Sequence, residues 1–211
     1  MSVLAKLASA LKRRDEIPNQ VLAEEIVRNS DANAVRELVD NLSNKDKNIQ
    51  SDCIKVLYEI GEREPKLIAK YWSAFAELLN SPNNRLVWGA MTALDQIALA
   101  APKHVFGLLP KIRAKAETGS VITRDHSVGI LVKLGSLKEF ASACLPLLIE
   151  QLRKCPNNQL PMYAEMSLAI ATDKNKSALH QTISKRLDQL QKESQKKRVL
   201  KVLKRLVTDA R

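Results

Sequence analysis

One spacing constrains this chain more than any other feature. Four stretches align at a constant offset of 37 residues, Cys53–Gly61, Ala90–Ala98, Ser127–Gly135 and Ala164–Thr172. Their first column is always small (Cys53, Ala90, Ser127, Ala164) and their fifth is always leucine (Leu57, Leu94, Leu131, Leu168). The eighth is apolar (Ile60, Ile97, Leu134, Ala171) and the ninth is small again (Gly61, Ala98, Gly135, Thr172). Positions i, i+4, i+7 and i+8 share one face of an α-helix, so each stretch reads as a helix with a buried stripe. The small residues let a neighbouring helix come close. Self-similarity at such a period is the mark of stacked supersecondary units.

The intervening segments recur as well. Pro65 and Pro102 stand 37 apart, each followed by lysine and a second apolar helix, and Pro110 and Pro146 recur 36 apart inside that helix. An interior proline removes a backbone hydrogen bond and bends a helix. Pro82-Asn83-Asn84 and Pro156-Asn157-Asn158, 74 residues apart, supply the turn before the small-column helix. The spacing predicts helices at 2–13, 18–29, 31–43, 47–61, 65–80, 84–100, 102–117, 121–135, 138–154, 160–172, 174–192 and 195–209. Paired as antiparallel hairpins they make about six units. The pattern implies an all-α, α-α superhelix (α-solenoid) with a period of about 37 residues and almost no strand.

A 37-residue helical hairpin with a proline in its first helix and a small-x-x-x-Leu-x-x-apolar-small second helix resembles the HEAT-repeat family. The family's Asp…Val-Arg signature is only loosely present, in Asp46-Lys-Asn-Ile-Gln, Asn84-Arg-Leu-Val and Thr123-Arg-Asp. The resemblance implies one solenoid domain over 1–211, with four repeats over 31–172, an N-terminal cap hairpin over 1–30 and a basic C-terminal cap hairpin over 173–211. Terminal repeats depart from consensus because the stack must close off its apolar interior.

Composition agrees with a soluble helical domain. The chain is 45% hydrophobic, too apolar for disorder, and carries only six glycines and eight prolines, too few for a many-turned β protein. No apolar run approaches the ~20 residues that cross a bilayer, and Lys6, Lys12, Arg13 and Arg14 interrupt any signal-peptide core, so a cytoplasmic location is expected. Cys53, Cys144 and Cys155 are odd in number at spacings of 91 and 11, unlike a disulfide framework or a zinc site. They read as two buried thiols and one in a loop. The net charge of +11 is uneven. Residues 1–173 hold 22 Lys/Arg against 20 Asp/Glu, a net +2, whereas 174–211 hold 12 against 3, a net +9.

No catalytic constellation stands out. His104, His126 and His180 have no metal-binding partner at helical spacing, and His126 reads as a solvated side chain. No GxSxG, HExxH, Walker A or GxGxxG is present, so no metal or cofactor is expected. HEAT-like repeats also build alkylpurine DNA glycosylases, basic proteins with tryptophans and an aspartate in a groove. Trp72, Trp88, Tyr163 and Asp95 are the nearest ingredients here, but Trp88 and Asp95 are seven apart rather than one turn. Trp88 is expected instead to open its helix and pack against Trp72 or its neighbours.

Two surfaces remain. Successive second helices would line a concave ridge with Asp52, Lys55 and Glu59, then Thr92 and Gln96, then His126, Lys133 and Tyr163. Mixed charges with an aromatic suit a protein or peptide partner. On the last helix, Val199, Leu200, Val202, Leu203, Leu206 and Val207 form an apolar arc opposite Lys197, Arg198, Lys201, Lys204 and Arg205, with Lys185, Arg186 and Lys192 adding charge before it. Like charges at i,i+4 repel by a few tenths of a kcal/mol, which points to an acidic partner. The expected function is a non-catalytic scaffold for a protein or peptide, with the basic helix meeting an acidic partner. The competing expectation is a nucleic-acid-binding protein related to the glycosylases, in which Arg85, Arg124 and Lys133 also track phosphates. Aromatics are absent from 174–211, so base stacking is not expected there.

Overall fold

A computed structural model describes residues 2–208. Among the described residues every regular element is helical, and the chain groups into two compact units, Met1–Ser127 and Val128–Arg211.

In the first unit a short 3-10 turn, Val3–Lys6, precedes α1 (Ile17–Asn29), α2 (Ala32–Asp40) and α3 (Lys47–Arg63). Next come α4 (Lys66–Ala69), α5 (Trp72–Leu78), α6 (Asn84–Gln96), α7 (Pro102–Gly107) and α8 (Leu109–Thr118). Helix α9 (Val121–Gly135) runs from the first unit into the second, which continues with α10 (Ala141–Lys154), α11 (Leu160–Ser167), α12 (Lys176–Ser184) and α13 (Glu193–Thr208). Helices α1, α3 and α6 pack successively, as do α11 and α13 in the second unit. The helix starts follow local chemistry, because Asp31, Asp46 and Asn83 each accept a backbone N–H of the first turn of α2, α3 and α6.

The repeat columns are the core. Cys53, Ala90, Ser127 and Ala164 are all buried, as are Leu57, Leu94 and Leu131. Gly61 shows why this stripe must be small, and Gly89, one position before it, marks an equally close approach. A methyl group on Gly89 would fall 2.3 Å from Ile54 Cγ1, and one on Gly61 would fall 2.7 Å from Ile68 Cδ1. The fourth copy decays. Helix α11 ends at Ser167, Leu168 lies in a 3-10 turn and is only partly buried, and Thr172 is exposed.

Two expectations are corrected. The helix expected over 2–13 is a 3-10 turn followed by irregular turns, with Lys12 at φ 56°. Side chains capture its amides, since Asn19 Oδ1 accepts from the Ala8 N–H at 3.0 Å and Asp52 Oδ2 from the Ser9 N–H at 2.8 Å. The helices over 65–80 and 102–117 are each broken in two, at Lys70–Tyr71 and at Leu108. Tyr71 and Leu108 are themselves one 37-residue period apart. No proline lies at the first break, and Pro146 sits inside an unbroken α10, so the hinge follows position in the repeat rather than proline alone. Cys155 lies in the loop after α10, as expected, and like Cys53 and Cys144 it is buried and free. Burial pushes the Cys53 thiol up to about 12 and the Cys144 thiol up to about 11, so both act as small hydrophobes.

Among the described residues no helix is long and apolar enough to cross a membrane.

Candidate functional site

Helices α3 and α6 present equivalent faces one repeat apart, Asn48, Ser51, Asp52 and Lys55 on the first and Arg85, Trp88, Gly89 and Thr92 on the second. Between them and the segment before α1 lie two adjoining hollows of about 210 and 260 Å³ that share Glu16, Ser51, Lys55 and Arg85. The smaller is walled by Ile54, Tyr58, Trp88 and Ile122, and the larger by Arg13, Arg14, Asp15 and Asp52. The result is one groove with an aromatic end and a charged end. Its floor is narrow because Gly89 brings the two helices together.

Most of the charges in and behind the groove are spent on each other. Lys55 Nζ lies 2.9 Å from Glu16 and 2.8 Å from Glu59, and 4.8 Å above the Tyr58 ring. Arg63 continues the ladder, 2.7 Å from Glu59 and 3.5 Å from Glu24. Burial opposes ionisation of Glu59, but hydrogen bonds from Lys55 and Arg63 outweigh it and hold the carboxyl below its ordinary value. Burial likewise opposes the charge on Lys55, and its bonds to Glu59, Glu16 and Tyr58 hold it above the usual lysine range. Asp52 accepts from Ser9 and from Asn19 Nδ2, at 2.8 Å each, and so anchors the N-terminal segment. Arg13 donates to Asp15 at 2.8 Å.

Past the aromatic end, three residues of the first unit join α6 to α9. His126 Nδ1 is 2.9 Å from Asp95 Oδ2, and Nε2 is 2.9 Å from Thr92 Oγ1. The spacing resembles a nucleophile–base–acid relay, but the Thr92 hydroxyl also lies 3.0 Å from the Trp88 carbonyl oxygen, a helix acceptor that competes for its proton. The His126 ring bridges α9 to Thr92 and Asp95 of α6. It is half-buried, which corrects the reading of a solvated side chain. Among the described residues no cluster of His, Cys, Asp and Glu could hold a metal ion.

The structure divides the residues expected on the ridge. Asp52, Lys55 and Thr92 line the groove. Glu59 is buried behind Lys55 as its counter-ion, and Gln96 packs beside Gly61. Lys133 and Tyr163 belong to the second unit, where Tyr163 is 1% exposed in the core and out of reach of any partner. Its column with Asp52, Gly89 and His126 suggested the ridge, but that column borders the buried first column, and Gly89 is buried in it as well. Trp72 stacks on His104 at 4.4 Å, while Trp88 faces the groove rather than Trp72's neighbourhood. Sequence reasoning missed Tyr58 and Trp88 as groove residues. The 37-residue offset that pairs Ser51 with Trp88 would have found the tryptophan.

On α13, Lys197, Arg198, Lys201, Lys204 and Arg205 are all exposed. Arg198 is paired, its guanidinium donating to both carboxylate oxygens of Glu165 at 2.8 and 2.6 Å. That bond holds the Glu165 carboxyl below its ordinary value. Only Val199, Val202, Leu203 and Leu206 of the expected apolar arc are buried, whereas Leu200 and Val207 are half or more exposed because they sit about 80–100° from the buried stripe. Two other cations leave the basic surface. Arg186 is buried and donates to the carbonyls of Leu152, Arg153 and Cys155. Arg124 donates to the carbonyls of Ala116 and Gly119 at the end of α8.

No family model matches this chain, and no curated protein does. Solved structures match it along nearly its whole length. An engineered protein from a structural genomics consortium is 18% identical with a TM-score of 0.63, covering 98% of each chain. A designed armadillo repeat protein is 14% identical with a TM-score of 0.62, covering 96% of this chain and 99% of its own. A second designed armadillo repeat protein, in complex with the peptide (KR)4, is 16% identical with a TM-score of 0.65 and covers 89% of this chain and 86% of its own. The fold is an all-α helical-repeat solenoid of armadillo-like type.

Proposed function

We propose that the chain is a non-catalytic repeat scaffold of HEAT-like hairpins that binds an extended protein or peptide segment. The groove between α3 and α6 carries this reading. It joins a half-buried tryptophan and tyrosine to open charged groups, the combination that anchors a peptide by an aromatic contact and orients it by charge. A designed armadillo neighbour bound to a peptide supports the same use of this fold. The exposed cations Lys197, Lys201, Lys204 and Arg205 provide a second contact for an acidic partner.

The test is selection of a random displayed-peptide library on the full chain, followed by calorimetry. Selected peptides should bind, and Trp88→Ala should weaken them about tenfold or more. Peptides indifferent to that change would sink the groove assignment. A nucleic-acid partner is the competing outcome. Fluorescence anisotropy with duplex DNA at about 50 and 200 mM salt would reveal it as a loss of ~10³-fold in affinity, abolished when the α13 cations become glutamine.

A further inference from the structure

Arg14 and Arg85 are the two charges of the groove that the fold does not use. Both are exposed and line the larger hollow, and among the described residues neither has an ion-pair partner. Every acid beside them is already engaged. Asp15 accepts from Arg13 and from the Ile17 N–H, Glu16 is paired with Lys55, and Asp52 is held by Ser9 and Asn19. Arg85 also stands in the first turn of α6, two residues after its cap Asn83. The positive end of the helix dipole disfavours a cation there and favours an anion. An arginine at such a position gains nothing from the helix end, and with no acid beside it its guanidinium stays open to an anion.

Taking the peptide-binding reading as its basis, we infer that the groove recognises an anionic side chain, a carboxylate or a phosphoryl group, next to an aromatic or large apolar one. The anion lies between Arg14 and Arg85, where guanidinium groups offer paired donors to two oxygens. The neighbouring side chain enters the smaller hollow, which shares Arg85 with the larger and is walled by Tyr58, Trp88 and Ile122. The sign is opposite to that of the basic peptide (KR)4 bound by the designed neighbour. Basic side chains would here meet the two arginines, while the acids that could receive them are already paired.

The probes are fluorescein-labelled peptides of alternating glutamate and phenylalanine, phosphoserine and phenylalanine, and lysine and phenylalanine, titrated by anisotropy into the full chain at about 50 mM salt. At least one anionic peptide should bind about tenfold or more tightly than the lysine peptide, and R14Q/R85Q should remove about tenfold or more of that affinity. The two anionic peptides tell carboxylate from phosphoryl preference. The variant K66Q/K103Q should leave binding unchanged, since those exposed lysines lie on α4 and α7 outside the groove. Both sets are exposed, so matching thermal melts will show that neither variant unfolds the chain. The inference is overturned if R14Q/R85Q binds like the parent or if K66Q/K103Q loses as much affinity as R14Q/R85Q. Library-selected peptides that are neutral or basic would overturn it while leaving the scaffold reading intact. A library that yields no binder at all would remove both.

Discussion

The same Pro-Asn-Asn turn serves two different ends in the two units. In the first, Asn83 caps α6 through its side-chain oxygen, and its amide reaches a distant residue only at 3.5 Å, on Gln50. In the second, α11 has no side-chain cap, and Asn157 instead accepts from the buried Arg186 at 2.7 Å and donates to the Gln189 carbonyl at 2.8 Å. Arg186 also ties down the last carbonyls of α10. One turn is therefore secured locally and the other by a tertiary clamp. Charge follows the same division. The first unit draws five ions together in the ladder Glu16–Lys55–Glu59–Arg63–Glu24, whereas the second leaves four cations of α13 facing water. A periodic sequence can thus repeat its shape without repeating what holds that shape.

The largest test of this contrast is Arg186→Met. It strands several carbonyls that have little access to water, and stability measured by urea unfolding should fall by about 4 kcal/mol. A loss below about 1 kcal/mol would show that water replaces the clamp. The leucine column gives the next comparison. Leu57→Ala should cost about 3 kcal/mol, because the site is fully buried, and Leu168→Ala about a third of that, because the fourth copy has already frayed. Equal costs would restore the fourth repeat to full standing. Asn83→Ala removes one cap and should cost about 1 kcal/mol by the same assay.

The smallest effect concerns acid. Glu59 is ionised and held below the ordinary glutamate value of 4.5, so its contribution is complete above that value and is lost as pH falls through the lower folded one. Glu165, with the same direction of shift, is more exposed and contributes less. Urea midpoints followed from about pH 6 to 3 should fall, and Glu59→Gln should flatten that fall more than Glu165→Gln. The reverse order would show that the exposed Arg198 pair matters more than the buried ladder.

Helix content, period and the buried columns were legible because they depend on residues three, four and seven apart, which the sequence lays out directly. Val121–Gly135 coincides with its expected span, and Ile17–Asn29 differs by a single residue at its start. The first segment was misread because Asn19 and Asp52, which capture its amides, are 11 and 43 residues away from their partners. Tyr163 was misread because its column borders the buried stripe, and which way such a side chain turns is settled only by packing, here into the core of the second unit. The groove was half legible. Asp52, Lys55 and Thr92 were on the expected ridge, but Tyr58 and Trp88 came into view only once α3 and α6 were packed face to face.

The amino-acid order alone therefore determined the repeat, its helices and its small, close-packed stripe, since each follows from short-range periodicity and side-chain volume. Tertiary structure decided which charges remain for a partner. Arg186, Arg124 and Arg198 look as available in sequence as Arg14 and Arg85, yet the first three are taken by carbonyls or by Glu165. Whether a cation is spent or free depends on which acceptor the fold brings within about 3 Å, and that distance does not exist until the helices pack.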